Sequence, residues 1–383
     1  MKIYFVTGEP SGDLLASSLI KALREKDPKV EFYGIGGETM SSLGFKSLFN
    51  ISELTVMGFF EVVPRLPLIL KRLKQTVQDI ININPDIIIT VDSWGFVSAL
   101  LTKLKKKNVT IPKLHYVAPQ VWAWKKNRAK NVAKLTDRLM TLLPYEPPYF
   151  EKYGLQCDFV GHPVVENNVE NINSDFREKH GIPNDANIVT ILHGSRNSEV
   201  KRLIPVFRKT ISILAENINN LFIVIPTVET VVNEVKKEFV NSKIPYTIIT
   251  GREERYSAFK SSMFALAASG TVSLELASCK TPHLVAYKFN TLTNYVARIF
   301  VKVKYVNLIN ILSDKEIIPE FLLRRCKPNL IATKALELTN KNTANQMANE
   351  AIEGLQKLKL PNILPSERAA EIVMEMVSHS YQP

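Results

Sequence analysis

The stretch Ile191–Leu203, ILHGSRNSEVKRL, sets an arginine at a tight turn between two periodic segments. Gly194 and Ser195 carry little or no side chain, so the backbone there can approach a ligand closely. The segment that follows has helical spacing. A helix start offers free N–H groups and the positive end of a dipole. Arg196 can grip phosphate oxygens through two parallel hydrogen bonds. Together these groups suit a diphosphate. The pattern of strand, small-residue turn and helix recurs at Ala267–Cys279, AASGTVSLELASC. Ser269, Gly270 and Thr271 supply backbone and hydroxyl donors there, and Glu275 one turn on can accept hydrogen bonds from ribose hydroxyls. Neither turn is a Walker A loop or a GxGxxG. Two such turns in one half of the chain favour a nucleotide diphosphate over what either would suggest alone.

The other half carries carboxylates at corresponding places. GEPSGD, Gly8–Asp13, follows the first apolar run. Glu9 and Asp13 put negative charge in its loop, which suits sugar hydroxyls better than a pyrophosphate. A helix cap is the plainer use of Ser11 or Asp13. Asp92 ends the β-branched run DIIITV, at the carboxyl end of a buried strand, where α/β proteins bind ligands. It can act as a general base if a hydroxyl comes within hydrogen-bond reach, or it can simply turn the chain. His115–Lys134 sets Trp122 and Trp124 beside Lys125, Lys126, Arg128, Lys130 and Lys134. Val56–Gln75 mixes Phe59, Phe60, Val62, Val63, Leu66, Leu68, Ile69 and Leu70 with Arg65, Lys71, Arg72 and Lys74. That mix reads as an interfacial anchor or acyl-chain cradle beside anionic headgroups, with a core helix as the alternative. A similar mix returns at Tyr295–Tyr305. The histidines are scattered and no Cys pair has ligand spacing, so no metal site is expected.

These residues need elements to position them. Short apolar runs at Ile3–Thr7, Val30–Ile35, Asp86–Val91, Lys113–Val117 and Arg138–Leu142 alternate with helical spacing. The pattern restarts at Ile188–Leu192 and continues through Leu221–Ile225, Tyr246–Ile249, Phe264–Ala267 and His283–Ala286. This is βαβ punctuation, and it predicts parallel sheets covered by helices. We expect an α/β chain of two facing Rossmann-like domains with an inter-domain cleft. The first spans 1–165, a linker lies near Val165–Ser174, and the second spans 175–344. One or two amphipathic helices in Asn340–His379, from about 345 to 383, cross back onto the first domain.

The 383 residues carry a net charge of +12, which attracts something negative: nucleic acid, an anionic membrane surface or a phosphorylated substrate. Three cysteines exclude a disulfide framework and fit a reducing cytosol. The N-terminus lacks the apolar length of a signal peptide, and no run is long enough to span a bilayer.

GEPSGD, GIGG at Gly34–Gly37, ELTVMGFFEV at Glu53–Val62, DIIITVD, HYVAPQVWAW, FVGHP, GSRNSEV, ASGTVSLE and YVNLINILSDKEIIPE come in this order. With them the chain resembles the lipid-A-disaccharide synthase family, from Met1 to about Leu330. The resemblance implies a GT-B architecture and an inverting, metal-independent transfer without cofactor. The donor would be UDP-2,3-diacylglucosamine and the acceptor 2,3-diacylglucosamine 1-phosphate (lipid X). The products would be the β(1→6)-linked lipid A disaccharide phosphate and UDP. It implies catalytic roles for Asp92 and Glu9. It assigns donor binding to Gly194, Ser195, Arg196, Glu199, Ser269, Gly270, Thr271, Glu275, Asn310 and Glu316. It implies a peripheral site on the cytoplasmic face of an anionic inner membrane, and leaves a homodimer open. The chain departs from the family pattern at His193, where Pro is usual, at Gly95 in place of a second Asp, and at Leu323 in place of Gln. Two other readings stand beside this one. A GT-B transferase or epimerase acting on non-acylated UDP-N-acetylglucosamine would have no need of the apolar Phe59–Leu70 segment. A basic nucleic-acid-binding protein would account for the charge, but no RNP, KH or zinc-finger pattern is present.

Overall fold

The computed structural model describes all residues except 55–58, 122–126, 168, 173–174, 269, 289–303 and 381–383, and for 59–64, 171 and 379–380 it gives the helical backbone alone. The chain divides into two compact units. Unit 1 comprises Met1–Pro163 with Leu358–Pro383, and unit 2 comprises Val164–Lys357.

Unit 1 holds six strands: β1 (Lys2–Thr7), β2 (Glu31–Ile35), β3 (Ile87–Val91), β4 (Lys113–Tyr116), β5 (Arg138–Thr141) and β6 (Gln156–Phe159). All pair in parallel, in the order β2-β1-β3-β4-β5-β6. The sheet is covered on both faces, so its strands read as continuous apolar runs rather than alternating ones. Ile3 and Phe5 of β1, with Ile87, Ile89 and Val91 of β3, pack into one core; Tyr4, Val6 and Ile88 point into the other. The helix Pro10–Lys26 lays Leu15, Leu19, Ile20 and Leu23 on the first of these faces. The C-terminal helix Pro365–Ser380 completes that face with Ala369, Ala370, Ile372, Val373 and Val377.

Unit 2 repeats the plan with β7 (Asn187–Leu192), β8 (Leu221–Pro226), β9 (Tyr246–Ile249), β10 (Phe264–Ala268), β11 (His283–Tyr287) and β12 (Glu320–Leu322). These are again all parallel, in the order β12-β11-β10-β7-β8-β9. The strand β12 carries no periodic signal of its own and was not expected.

Both strand orders contain one reversal. In unit 1 the chain goes from β1 to β2 on one side and then resumes with β3 on the other. In unit 2 it goes from β7 through β8 to β9, then resumes with β10 on the opposite side of β7. Such reversals open a crevice outside the carboxyl ends of the two strands concerned, and ligands of open α/β sheets bind there.

The return of the chain to unit 1 differs from expectation. The helix Lys341–Gln356 stays in unit 2, and only Leu358 onward rejoins unit 1. At the crossing the His162 N–H donates to the Leu358 carbonyl at 3.0 Å. Gly161 has φ +84°, and a Cβ there would lie 3.0 Å from that same carbonyl oxygen. This explains the glycine of FVGHP. The residue is squeezed where two chain crossings meet.

Candidate active site

In unit 2 both small-residue turns fall at the reversal. Leu192 at the end of β7 is in register with Ala267 of β10, so the turns that follow lie side by side. Gly194 takes φ +101°, the left-handed region that favours glycine. Arg196 is the N-cap of the helix Asn197–Asn217, and its side chain is 50% exposed. Its Nη1 donates to Glu199 Oε1 at 3.0 Å. Ser195 is exposed. On the neighbouring turn Gly270 and Thr271 are exposed, with open space around Gly270; Ser269 lies outside the described residues. Thr271 stands at the N-cap position of the helix Val272–Ser278 without a side-chain capping bond.

Glu275, in the first turn of that helix, accepts from Arg255 Nη2 at 3.0 Å through Oε1. Its Oε2 is buried and meets no donor. Burial raises the Glu275 carboxyl above the ordinary range, with the charges of Arg255 and Arg252 pulling the other way. An acceptor oxygen in a dry corner is what a hydroxyl ligand would satisfy. Arg255 was not singled out in the sequence. No spacing rule links it to Glu275, because the two meet through the fold.

Asn310 lies in the helix Leu308–Ser313, whose N-cap Asn307 donates to the Ser273 hydroxyl at 2.7 Å, and Glu316 follows that helix before β12. Asn310 is 0% exposed. Its Oδ1 accepts from the N–H groups of Ile317 and Ile318, and its Nδ2 donates to Ile318 O and to Glu320. Every polar atom of that side chain is spent on the loop leading to β12. In this structure Asn310 braces that loop. Glu316 is exposed and accepts a long bond, 3.5 Å, from the Glu320 N–H.

In unit 1 the reversal lies between β1 and β3. Glu9 is the N-cap of the helix Pro10–Lys26, and Asp92 follows β3. Asp92 and Ser93 take φ +52° and +45°, two consecutive non-glycine residues in left-handed backbone. Val117, after the adjacent β4, takes φ +81°. Each such residue costs on the order of 1–3 kcal/mol, and strain of this kind gathers at functional sites. The Asp92 N–H donates to Tyr116 O at 2.9 Å, which ties the two strained ends together. Burial raises the Asp92 carboxyl, while hydrogen bonds from the Ser93 N–H and the Ser11 hydroxyl oppose the shift. The Ser93 hydroxyl is buried and meets no partner. A Cβ on Gly8 would sit 2.6 Å from that hydroxyl, so glycine lets the two loops close.

Asp13 has another task. Its carboxylate accepts from the N–H groups of Gly37, Thr39 and Met40 at 2.6, 2.8 and 3.3 Å. It caps the short helix Glu38–Ser41 across the sheet edge, rather than its own helix. The GIGG motif and the aspartate of GEPSGD are two halves of one device.

The apolar-basic segment forms the helix Phe59–Ile83. Leu73, Val77 and Ile80 are core residues at helical spacing. Leu66 and Leu70 continue the same stripe but are 46% and 51% exposed. Leu68 and Ile69 are half-buried; the side chains of Phe59, Phe60, Val62 and Val63 lie outside the described residues. Arg72 does not face outward as expected. It bonds Glu53 at 2.7 and 2.9 Å and lies over the Phe49 ring. Trp122, Trp124, Lys125 and Lys126 lie outside the described residues, as does most of Tyr295–Tyr305. No helix among the described residues is long and apolar enough to cross a membrane.

Residues 3–373 match the Lipid-A-disaccharide synthetase family. The chain belongs to this family. A lipid-A-disaccharide synthase of Paramagnetospirillum magneticum is 43% identical over 382 residues, covering 98% of each chain. One of Rhodospirillum centenum is 42% identical, covering 98% of this chain and 94% of that one. Among solved structures, a co-structure of S. aureus MnaA with UDP superposes with TM-score 0.69 at 15% identity, over 99% of this chain and 96% of that one. That likeness speaks for fold: the architecture is the two-domain, Rossmann-like GT-B type.

The departures from the family pattern now have physical content. His193 is 2% exposed, and both ring nitrogens lack partners. Its ring lies between Phe207 and Phe239, with centroids 5.5 and 5.9 Å away. It fills an apolar site as a neutral ring. Gly95 is exposed, and a Cβ there would meet nothing within 4 Å, so the missing second carboxylate leaves open space. Leu323 takes φ +55°, a strained setting for that side chain.

Proposed function

We propose that this family member joins UDP-2,3-diacylglucosamine to 2,3-diacylglucosamine 1-phosphate, giving lipid A disaccharide 1-phosphate and UDP. The observation that carries the reading is the family match across nearly the whole chain. Chemistry at the two sheet reversals supports it. In unit 2 the turns at 194–196 and 270–271 neutralise the departing UDP, with hydrogen-bond donors aimed where charge develops. Glu275 holds the ribose through its unpartnered oxygen. In unit 1 the acceptor 6-hydroxyl oxygen attacks the anomeric carbon as the bond to UDP breaks, and Asp92 takes the hydroxyl proton. Its raised affinity for protons and its strained, fixed backbone favour that role over Glu9, which positions the acceptor. Leu66 and Leu70, on an apolar stripe that outruns the core, meet an anionic bilayer surface and admit the acylated substrates. That exposed stripe argues against a non-acylated UDP-N-acetylglucosamine substrate.

The test is a product assay. Purified protein is given both acylated substrates in detergent with excess EDTA, and UDP and disaccharide are followed by mass spectrometry. Disaccharide in the wild-type reaction supports the reading. Turnover of UDP-N-acetylglucosamine with no disaccharide overturns it.

A further inference from the structure

Arg196 is held by an acid of its own helix. The Glu199 side chain is 11% exposed against 50% for Arg196, so the carboxylate is fixed and the guanidinium faces water. Glu199 Oε1 accepts from Arg196 at 3.0 Å and from the Tyr287 hydroxyl, at the end of β11, at 3.4 Å. The other oxygen, Oε2, would lie 2.6 Å from a Cβ on Gly194, and Ala268 of β10 borders the same point at 3.5 Å. The carboxylate thus fills the corner beneath the Gly194–Arg196 turn, among the ends of β7, β10 and β11. It sits in the first turn of a 21-residue helix, where the dipole favours negative charge. A diphosphate at that helix start would compete with Glu199 for the same guanidinium and the same dipole.

We propose that Glu199 is a resident counter-ion for Arg196, exchanged for the diphosphate when the donor binds and restored as UDP leaves, and that it does not itself contact the nucleotide. The inference rests on reading the 194–196 turn as the diphosphate site. It makes Glu199 a positioning residue that lowers UDP affinity and speeds UDP release. Gly194 then serves twice, for its left-handed backbone and for the space the carboxylate occupies. Tyr287 supplies a second donor that keeps the carboxylate in place while Arg196 turns outward.

The test is titration of UDP into wild type and variants by calorimetry, with steady-state kinetics alongside. Glu199→Gln keeps the acceptor and removes the charge, so UDP should bind about three- to tenfold tighter, the range expected from deleting one partly screened charge near a helix end. The KM for donor should fall and product inhibition by UDP should strengthen. Glu199→Asp keeps the charge and should stay within about twofold of wild type. Arg196→Ala should weaken UDP binding. Unchanged or weaker UDP binding by Glu199→Gln, with Arg196→Ala still weakening it, overturns the inference and leaves the diphosphate site standing. Should that variant fail to fold, Glu199→Ala carries the same test with the same two outcomes. Wild type that does not bind UDP overturns both.

Discussion

Asp92 shows what a single residue contributes and what it costs. Its carboxyl is held above the ordinary range by burial, so the folded chain binds its proton more tightly than the unfolded chain does. A raised acid stabilises the fold below the ordinary aspartate range, and that contribution is lost as pH rises through the raised value. Ionising Asp92 therefore costs more in the fold than in the unfolded chain. Asp92→Asn removes that burden while keeping the side-chain shape, so we expect its Tm at pH 7.5 to equal or exceed wild type, measured by scanning calorimetry. A Tm well below wild type would make Asp92 a structural residue. The place of Asp92 was legible in the sequence, because a carboxylate ending a β-branched run has few other settings. Its left-handed backbone was not. Neither were its bond to Ser11 and the strain at Val117, since these arise where three loops meet.

Individual elements are fixed by capping and by how far an apolar stripe runs. Asp13 anchors the helix Glu38–Ser41 through three backbone N–H groups. Asp13→Ala leaves those donors buried without partners, at a cost of about 1–3 kcal/mol. A fall in Tm without selective loss of UDP affinity is expected; a selective loss of affinity at wild-type Tm would return Asp13 to the site. GEPSGD announced a loop with charge, but the partner of its aspartate lies 24 residues on, beyond the reach of a local rule. The helix Phe59–Ile83 was legible as amphipathic, yet periodicity could not tell where its core contact ends. The structure draws that line between Leu73, which is buried, and Leu70, which is not. Leu66→Asp with Leu70→Asp should therefore leave Tm near wild type and reduce sedimentation with anionic vesicles. Equal sedimentation would remove these residues from the membrane contact.

Across the whole molecule the alternation of strand and helix signals was enough to indicate two parallel sheets, because fully covered strands must be apolar throughout. The order of strands was not readable, and it is that order which puts Glu9 beside the β3 end and Arg196 beside the β10 end. Electrostatics also act at this scale. Of the six histidines, His115 and His162 in unit 1 and His193 and His283 in unit 2 are buried, with burial lowering them to about 3, 4, 3 and 4. His283 is fitted to the neutral form: Nδ1 faces Thr281 O, and Nε2 faces Ser273, which in turn accepts from Asn307. A histidine lowered in the fold stabilises above its ordinary value and withdraws that stability as pH falls toward the folded value. Each can remove up to about 1.4 kcal/mol per pH unit below about 6.5. Urea midpoints should hold at pH 7–8 and fall steeply from about pH 6.5 to 4. A flat midpoint across that window would mean the rings are not buried neutral.

The central claim is that unit 2 holds the UDP while Asp92 of unit 1 drives the transfer. Its most direct test is a paired measurement on Asp92→Asn: UDP affinity by calorimetry, and single-turnover disaccharide formation from the two acylated substrates. The account predicts UDP affinity within about twofold of wild type and a rate lower by about 10²–10⁴, the range of a lost general base. A rate within tenfold of wild type at unchanged affinity would contradict it.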